Sequence, residues 1–214
     1  MGTTDLKLYN KALVALSLPR ISDPTDDERR ANEIEAVYDD ILLECLEEGF
    51  WNHAIRTTSE SSDGTPTVHN FKYQFTKPTD WRRTFILSAS DTFEPALESF
   101  EDEVGSWYAD IDPLYAKYVS DDSLYGGDLT KWPMLYADYV SLRLAGAVAD
   151  QLGVDTATVN NLIDKRIPKA LKKALSKDAM NGPNRHLPVG RLVRSRGSGF
   201  GNRQLHDRSS GLNQ

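Results

Sequence analysis

The sequence predicts a mainly α protein: a four-helix bundle carrying an inserted small antiparallel β-sheet and ending in an extended C-terminal arm. Three observations lead there. Apolar residues recur at spacings of three and four in four separate stretches, the pattern of helices with one buried side. Between the second and third of these stretches the period falls to two, as in half-buried strands. The final stretch is rich in glycine and arginine and poor in apolar anchors, so it cannot close a core of its own.

At 214 residues the chain can bury a substantial core as one domain with an insertion. The expected divisions are residues 1–54 for the first two helices, 55–125 for the β-rich insertion, 126–181 for the last two helices and 182–214 for the arm. Helix one runs from Asp5 as its cap to about Leu16, with Leu6, Tyr9, Leu13 and Leu16 in one stripe, and Leu18-Pro19 stops it. Asp23-Pro24-Thr25 opens a longer helix whose Ile34, Val37, Tyr38, Ile41, Leu42, Cys45 and Leu46 share one side, and Gly49 ends it. Alternation of Phe71, Tyr73 and Phe75 with polar residues marks a strand, and Lys77-Pro78-Thr79-Asp80 is the turn after it. Residues 83–87, 105–111 and 114–119 are the remaining strand candidates, all assigned to one sheet. The polar linkers 60–67 and 88–103 lack periodicity and are expected on the surface, the second of them mobile.

Helical pattern resumes after Trp132-Pro133 and passes through Leu135, Tyr139, Leu142, Ala145, Ala149 and Leu152 to Gly153. Its small residues let another helix approach closely, which makes this helix the expected centre of the bundle. The fourth helix begins near Asp155 or Thr156. Pro168 lies inside its pattern at a cost of about 3 kcal/mol in an ideal helix, so a kink or break is expected over residues 164–167. The expected packing residues are Tyr9, Leu13, Tyr38, Trp51, Trp81, Trp132 and Tyr139.

The net charge of −7 conceals two opposed regions. Residues 1–163 hold 13 Lys+Arg and 29 Asp+Glu, a balance of −16, whereas residues 164–214 hold 12 and 3, a balance of +9. Such a split predicts two surfaces with different partners. Cys45 is the single cysteine, which excludes an intramolecular disulfide, and its place in an apolar stripe predicts packing. No run approaches the roughly 18 apolar residues of a membrane span and no signal pattern opens the chain, so the expectation is a protein made and kept in the cytoplasm of its producing cell.

The usual chemistries are missing together. His53, His69, His186 and His206 are scattered without zinc-ligand spacing, and the acidic clusters at Asp26-Asp27-Glu28, Asp39-Asp40 and Glu101-Asp102-Glu103 lack the spacing of a calcium loop. Gly197-Ser198-Gly199-Phe200-Gly201 follows no strand and opens no helix, so it is no phosphate cradle, and no nucleophile elbow is present. The expectation is therefore no catalytic residue, no metal and no cofactor. The arm instead carries Arg185, Arg191, Arg194, Arg196, Arg203 and Arg208 among small residues, a composition suited to wrapping a partner and pairing with carboxylates or phosphates.

Several segments in succession resemble the tail tubular protein A family, the head-to-tail adaptors of short-tailed bacteriophages. They are Leu8-Tyr9-Asn10-Lys11-Ala12-Leu13-Val14-Ala15-Leu16 with Pro19-Arg20-Ile21, then Gly49-Phe50-Trp51-Asn52-His53-Ala54, then Tyr73-Gln74-Phe75-Thr76-Lys77-Pro78-Thr79-Asp80-Trp81-Arg82-Arg83, and Trp132-Pro133-Met134-Leu135-Tyr136-Ala137 continued to Leu152. The likeness covers about residues 5–152. Ser17 departs from it where a glycine is expected, and Pro168 departs from a straight last helix. The resemblance implies a structural virion protein of the phage tail: a homo-oligomeric ring of twelve copies between the portal and a nozzle of the tail tubular protein B type, continuing the channel for genomic DNA without reading its sequence. Members of that family grip the portal with C-terminal segments and neighbouring helices; the arm matches none of the segments above, and Arg185, Arg191, Arg194, Arg196 and Arg203 are given the portal-binding role by their position, with no membrane partner expected. Two rivals of other classes stand beside it. A DNA-binding accessory protein would use the basic arm on phosphates, with affinity falling steeply with salt. A virion enzyme would need an acid/base carboxylate pair, which the sequence does not reveal.

Overall fold

The computed structural model describes residues 3–22, 28–67 and 70–181. Helices α1 (Thr3–Ala15) and α2 (Glu28–Glu47) precede six strands, and α3 (Met134–Val148), α4 (Thr156–Asn161) and α5 (Ile167–Ala179) follow them. The architecture is mixed: helices packed together, with two small antiparallel sheets inserted between the second and third. Helix α3 is the centre expected of it, since α1, α2 and α5 all pack against it. Tyr139, Val140, Leu144, Ala145 and Ala149 are wholly buried there. A Cβ on Gly146 would stand 3.2 Å from Ile167 Cδ1, so the small residues of α3 do let the last helical stretch come close.

The departure at Ser17 has a visible cause and consequence. Ser17 adopts a positive φ of 61° at the end of α1, while its N–H donates to Val14 O at 3.1 Å and the Leu18 N–H donates to Leu13 O at 2.9 Å. That pair of bonds is a Schellman cap, whose left-handed residue is ordinarily glycine. Serine keeps the cap and bears the steric cost of its Cβ.

Pro168 produces a change of pitch. Residues Leu162–Arg166 form one π-helical turn between α4 and α5, with the Ile167 N–H bonded to Leu162 O. Proline offers no N–H to the carbonyl four residues back and its ring crowds that carbonyl. Widening the preceding turn gives the chain room, and Pro168 then sits in the first turn of α5, where no donor is needed. The change of pitch begins two residues before the expected stretch 164–167 and overlaps most of it, and the helix continues beyond.

The single expected sheet is two. Strands β1 (Ile55–Glu60), β6 (Leu114–Ser120) and β3 (Trp81–Ser88) form one, in the order β1-β6-β3, and β2 (Tyr73–Thr76), β5 (Ser106–Ala109) and β4 (Glu101–Asp102) form the other, in the order β2-β5-β4. All pairs are antiparallel, with Ile55 opposite Val119 and Phe75 opposite Trp107. Period-two alternation identifies a strand but carries no information about its partner. The two sheets share one apolar cluster of Phe75, Leu87, Trp107, Ala109, Leu114, Ala116 and Tyr118. Register shifts at Trp81/Arg83 and Thr84/Ile86 bend β3 over it. Residues 88–103, expected as a mobile loop, are pinned instead: Phe93 is buried beneath Lys117, the Leu97 N–H donates to Leu87 O at 2.8 Å, and Ser88 Oγ donates to Pro95 O at 3.0 Å.

Candidate functional site

The chemistry-bearing side chains fall into three groups, and the first is structural. Trp51, Trp132 and Tyr136 gather around His53 where the link after α2 meets α3, with Tyr139 beside Trp51 and Tyr136. The ring centres of Trp51 and Tyr136, and of His53 and Tyr136, are each 4.6 Å apart, and Trp132 stands edge-on to Tyr136. Trp51 Nε1 donates to Cys45 O at 2.8 Å and Trp132 Nε1 to Gly126 O at 2.8 Å, so each indole is buried with its donor satisfied. Both His53 ring nitrogens are buried without a hydrogen-bond partner among the described residues. Burial pulls its pKa down to about 4, so the imidazole is neutral at ordinary pH and a weak base. Burial likewise pushes the Cys45 thiol up to about 12, which makes it a packing group.

Tyr9, Leu13 and Tyr139 are wholly or almost wholly buried in the same helical core, and Tyr38 is half-buried against it, edge-on to Tyr9 at 5.4 Å. Their hydroxyls end on carboxylates: Tyr9 on Glu35, Tyr38 on Asp5 at 3.2 Å and Tyr139 on Glu48. Trp81 lies elsewhere, half-buried against the cluster between the sheets.

The second group is the turn singled out by its Pro-x-Asp pattern. Asp80 accepts from Arg56 Nη1 at 2.9 Å, from Tyr118 OH at 3.2 Å and from Ser120 Oγ. Burial alone would raise this carboxyl, but the bonds from Ser120 and Arg56 outweigh it and hold the group below the usual range. Asp80 therefore ties β3 to β1 and β6 as a fixed anion. Next to it Lys77, almost wholly buried, lies 3.4 Å over the Trp81 ring and donates to Asp102 and the Glu103 carbonyl. This joins the turn to the tip of the second sheet.

The third group could not be found from spacing, because three elements build it. A groove of about 630 Å³ runs between α1, α3 and the π turn, lined by Lys7, Lys11, Val14, Arg20, Leu142 and Arg166. A second hollow of about 280 Å³ continues it past Asp138, Leu142 and Arg166 to Lys169, Ala170 and Lys173 on α5. Lys11 Nζ pairs with Asp138 at 2.6 Å, and Arg166 Nη1 donates to Ala15 O at 2.8 Å, closing off the end of α1. Lys7, Arg20, Lys169 and Lys173 have no ion-pair partner among the described residues and are exposed. The available signal was residues 165–177, which hold six Lys+Arg and no acid. Sequence reasoning had added them to the charge of the arm. What the groove can do chemically is accept carboxylates or phosphates along a partly apolar floor.

No group of His, Cys, Asp and Glu among the described residues is placed to hold a metal. Among those residues no helix is long and apolar enough to cross a membrane. His69, His186 and His206, and the arm residues Arg185, Arg191, Arg194, Arg196, Arg203 and Arg208, lie outside the described residues. No protein-family model matches the chain, and no curated protein matches it at a significant level.

Proposed function

We propose that the chain is a non-enzymatic virion protein, the head-to-tail adaptor of a short-tailed bacteriophage, with twelve copies in a ring between portal and nozzle. In this reading the helices are a four-helix bundle, the β region is its insertion toward the tail, and residues 182–214 are an extended arm that grips the portal. The observation that carries it is the succession of family-like segments over residues 5–152. Their packing adds support: Trp51 and His53 from one segment and Trp132 and Tyr136 from another, about 80 residues apart in the chain, meet in one aromatic cluster.

The charge distribution fits the same role. An acidic body facing the channel would repel DNA phosphates and let the genome slide, whereas attraction would accumulate along the duplex. A basic arm ordering on an acidic portal surface would couple assembly to contact. The test is to mix the purified chain with portal rings of the same phage and examine them by negative-stain electron microscopy, with a variant lacking residues 182–214 in parallel. An added ring that disappears with the truncation is the expected result.

The basic groove and α5 favour one second reading, a DNA-binding accessory protein. It predicts duplex affinity that falls by orders of magnitude between about 50 and 200 mM salt, and bare portals at saturating protein.

A further inference from the structure

The groove between α1, α3 and α5 has a counterpart on the same molecule. Helix α2 carries seven carboxylates against two arginines. Its core side is Ile34, Cys45 and Leu46. On the other side Ala36, Asp40, Leu43 and Glu47 follow one another at spacings of four, three and four, one stripe of a helix, with Asp39 beside it. Asp39, Asp40 and Glu47 are exposed, and Leu43 is half-exposed yet outside the apolar core. The outer face of α2 is thus a short apolar seam flanked by acids.

The groove is the inverse of that face. Val14, 46% exposed, and Leu142 form an apolar floor, and Lys7, Lys11, Arg166, Lys169 and Lys173 surround it. No residue of α2 lines it: α2 packs where α3 carries Tyr139 and Arg143, and the groove opens over Asp138 and Leu142. The two surfaces belong to different sides of one molecule.

We propose that this groove receives the outer face of α2 from a second copy of the chain. Because the mating surfaces differ, the contact is heterologous, and each copy can accept one neighbour and donate to another, which generates a closed ring or an open chain of copies rather than a pair. The inference rests on the adaptor reading only for the closure of that ring on a portal. Duplex DNA is the poorer occupant: its phosphates suit the basic rim, but nothing on it matches the Val14 and Leu142 floor. An amphipathic acidic helix matches both.

Two full-length variants test it, Lys169→Glu with Lys173→Glu in the groove, and Asp39→Lys with Asp40→Lys on α2. All four positions are exposed, and an unchanged melting temperature checks that each variant folds. Sedimentation at high protein concentration and low salt should show the wild type in species larger than a dimer that dissociate as salt rises. Each variant alone should be monomeric. Their equimolar mixture should regain species larger than a dimer, because the intact groove meets the intact α2 and the groove now carrying glutamates meets the α2 now carrying lysines. Wild type, variants and mixture that share one oligomeric state, both alone and on portal rings, overturn the inference. So does a groove variant that loses duplex DNA binding with self-association unchanged. Portal docking is scored separately: docking without the charge dependence defeats this contact alone, and self-association restored in the mixture without docking defeats the adaptor reading alone.

Discussion

Acidification should loosen this protein through one residue. His53 is held neutral among Trp51, Trp132 and Tyr136, with both nitrogens lacking a hydrogen-bond partner among the described residues. Its folded pKa of about 4 lies below the ordinary value of 6.5. The stability tied to the neutral ring is therefore present above pH 6.5 and is lost as the pH falls toward 4. At pH 5 the unfolded imidazole is protonated and the folded one is not, so the loss is 1.5 pH units at 1.36 kcal/mol each, about 2 kcal/mol. The full gap of 2.5 units corresponds to about 3 kcal/mol at still lower pH. Asp178 works in the opposite direction, because burial raises its carboxyl against the bonds donated by Asn52, so its contribution grows as the pH falls. Replacing the imidazole separates the two. Urea unfolding followed by tryptophan fluorescence at pH 7, 6 and 5 should show the wild type losing about 2 kcal/mol, whereas His53→Phe, which keeps a flat ring in the cluster, should lose well under half of that. Equal losses in the two proteins would refute the assignment of this pH dependence to His53.

Three further substitutions probe the fold. Ser17→Gly should raise stability by about 0.5–1 kcal/mol in thermal or urea unfolding, because it relieves a left-handed residue without altering the cap. Gly126→Ala should cost roughly 1–3 kcal/mol in the same assay, since the new Cβ would stand 2.3 Å from Ser120 O and 2.9 Å from Leu46 Cδ2. Asp80→Asn should cost about 1–3 kcal/mol at pH 7, where Arg56, Tyr118 and Ser120 lose an ionised acceptor. The Asp80 carboxyl is depressed in the fold, so its contribution is present above the ordinary carboxylate pKa and is lost as the pH falls through the folded value; the gap between wild type and variant should shrink in acid.

Much of the helical architecture was legible because burial of one helix side writes itself into spacing: Leu6, Tyr9, Leu13 and Leu16 pack as their intervals require. The small residues of α3 announced a central helix, and Pro168 announced an interruption, although a proline does not say whether a helix will break or widen by one turn. Strand β1 was illegible because Ile55-Arg56-Thr57-Thr58-Ser59-Glu60 has little apolar alternation and draws its stability from pairing with β6. The split into two sheets depends on long-range pairing, such as β3 with β6 across some 30 residues, which local pattern does not encode. The groove was hidden for a related reason. Lys7 lies about 160 residues from Arg166 and Lys173, and the packing of α1 and α5 on α3 brings them to one groove. Lys77 and Asp80, which the sequence marked only as a turn, hold the β region together.

Portal attachment tests the central claim most directly. Negative-stain electron microscopy of the purified chain with portal rings of the same phage should show an added ring of density, and removal of residues 182–214 should abolish it while leaving the melting temperature unchanged. Bare portals at saturating full-length protein would contradict the adaptor reading.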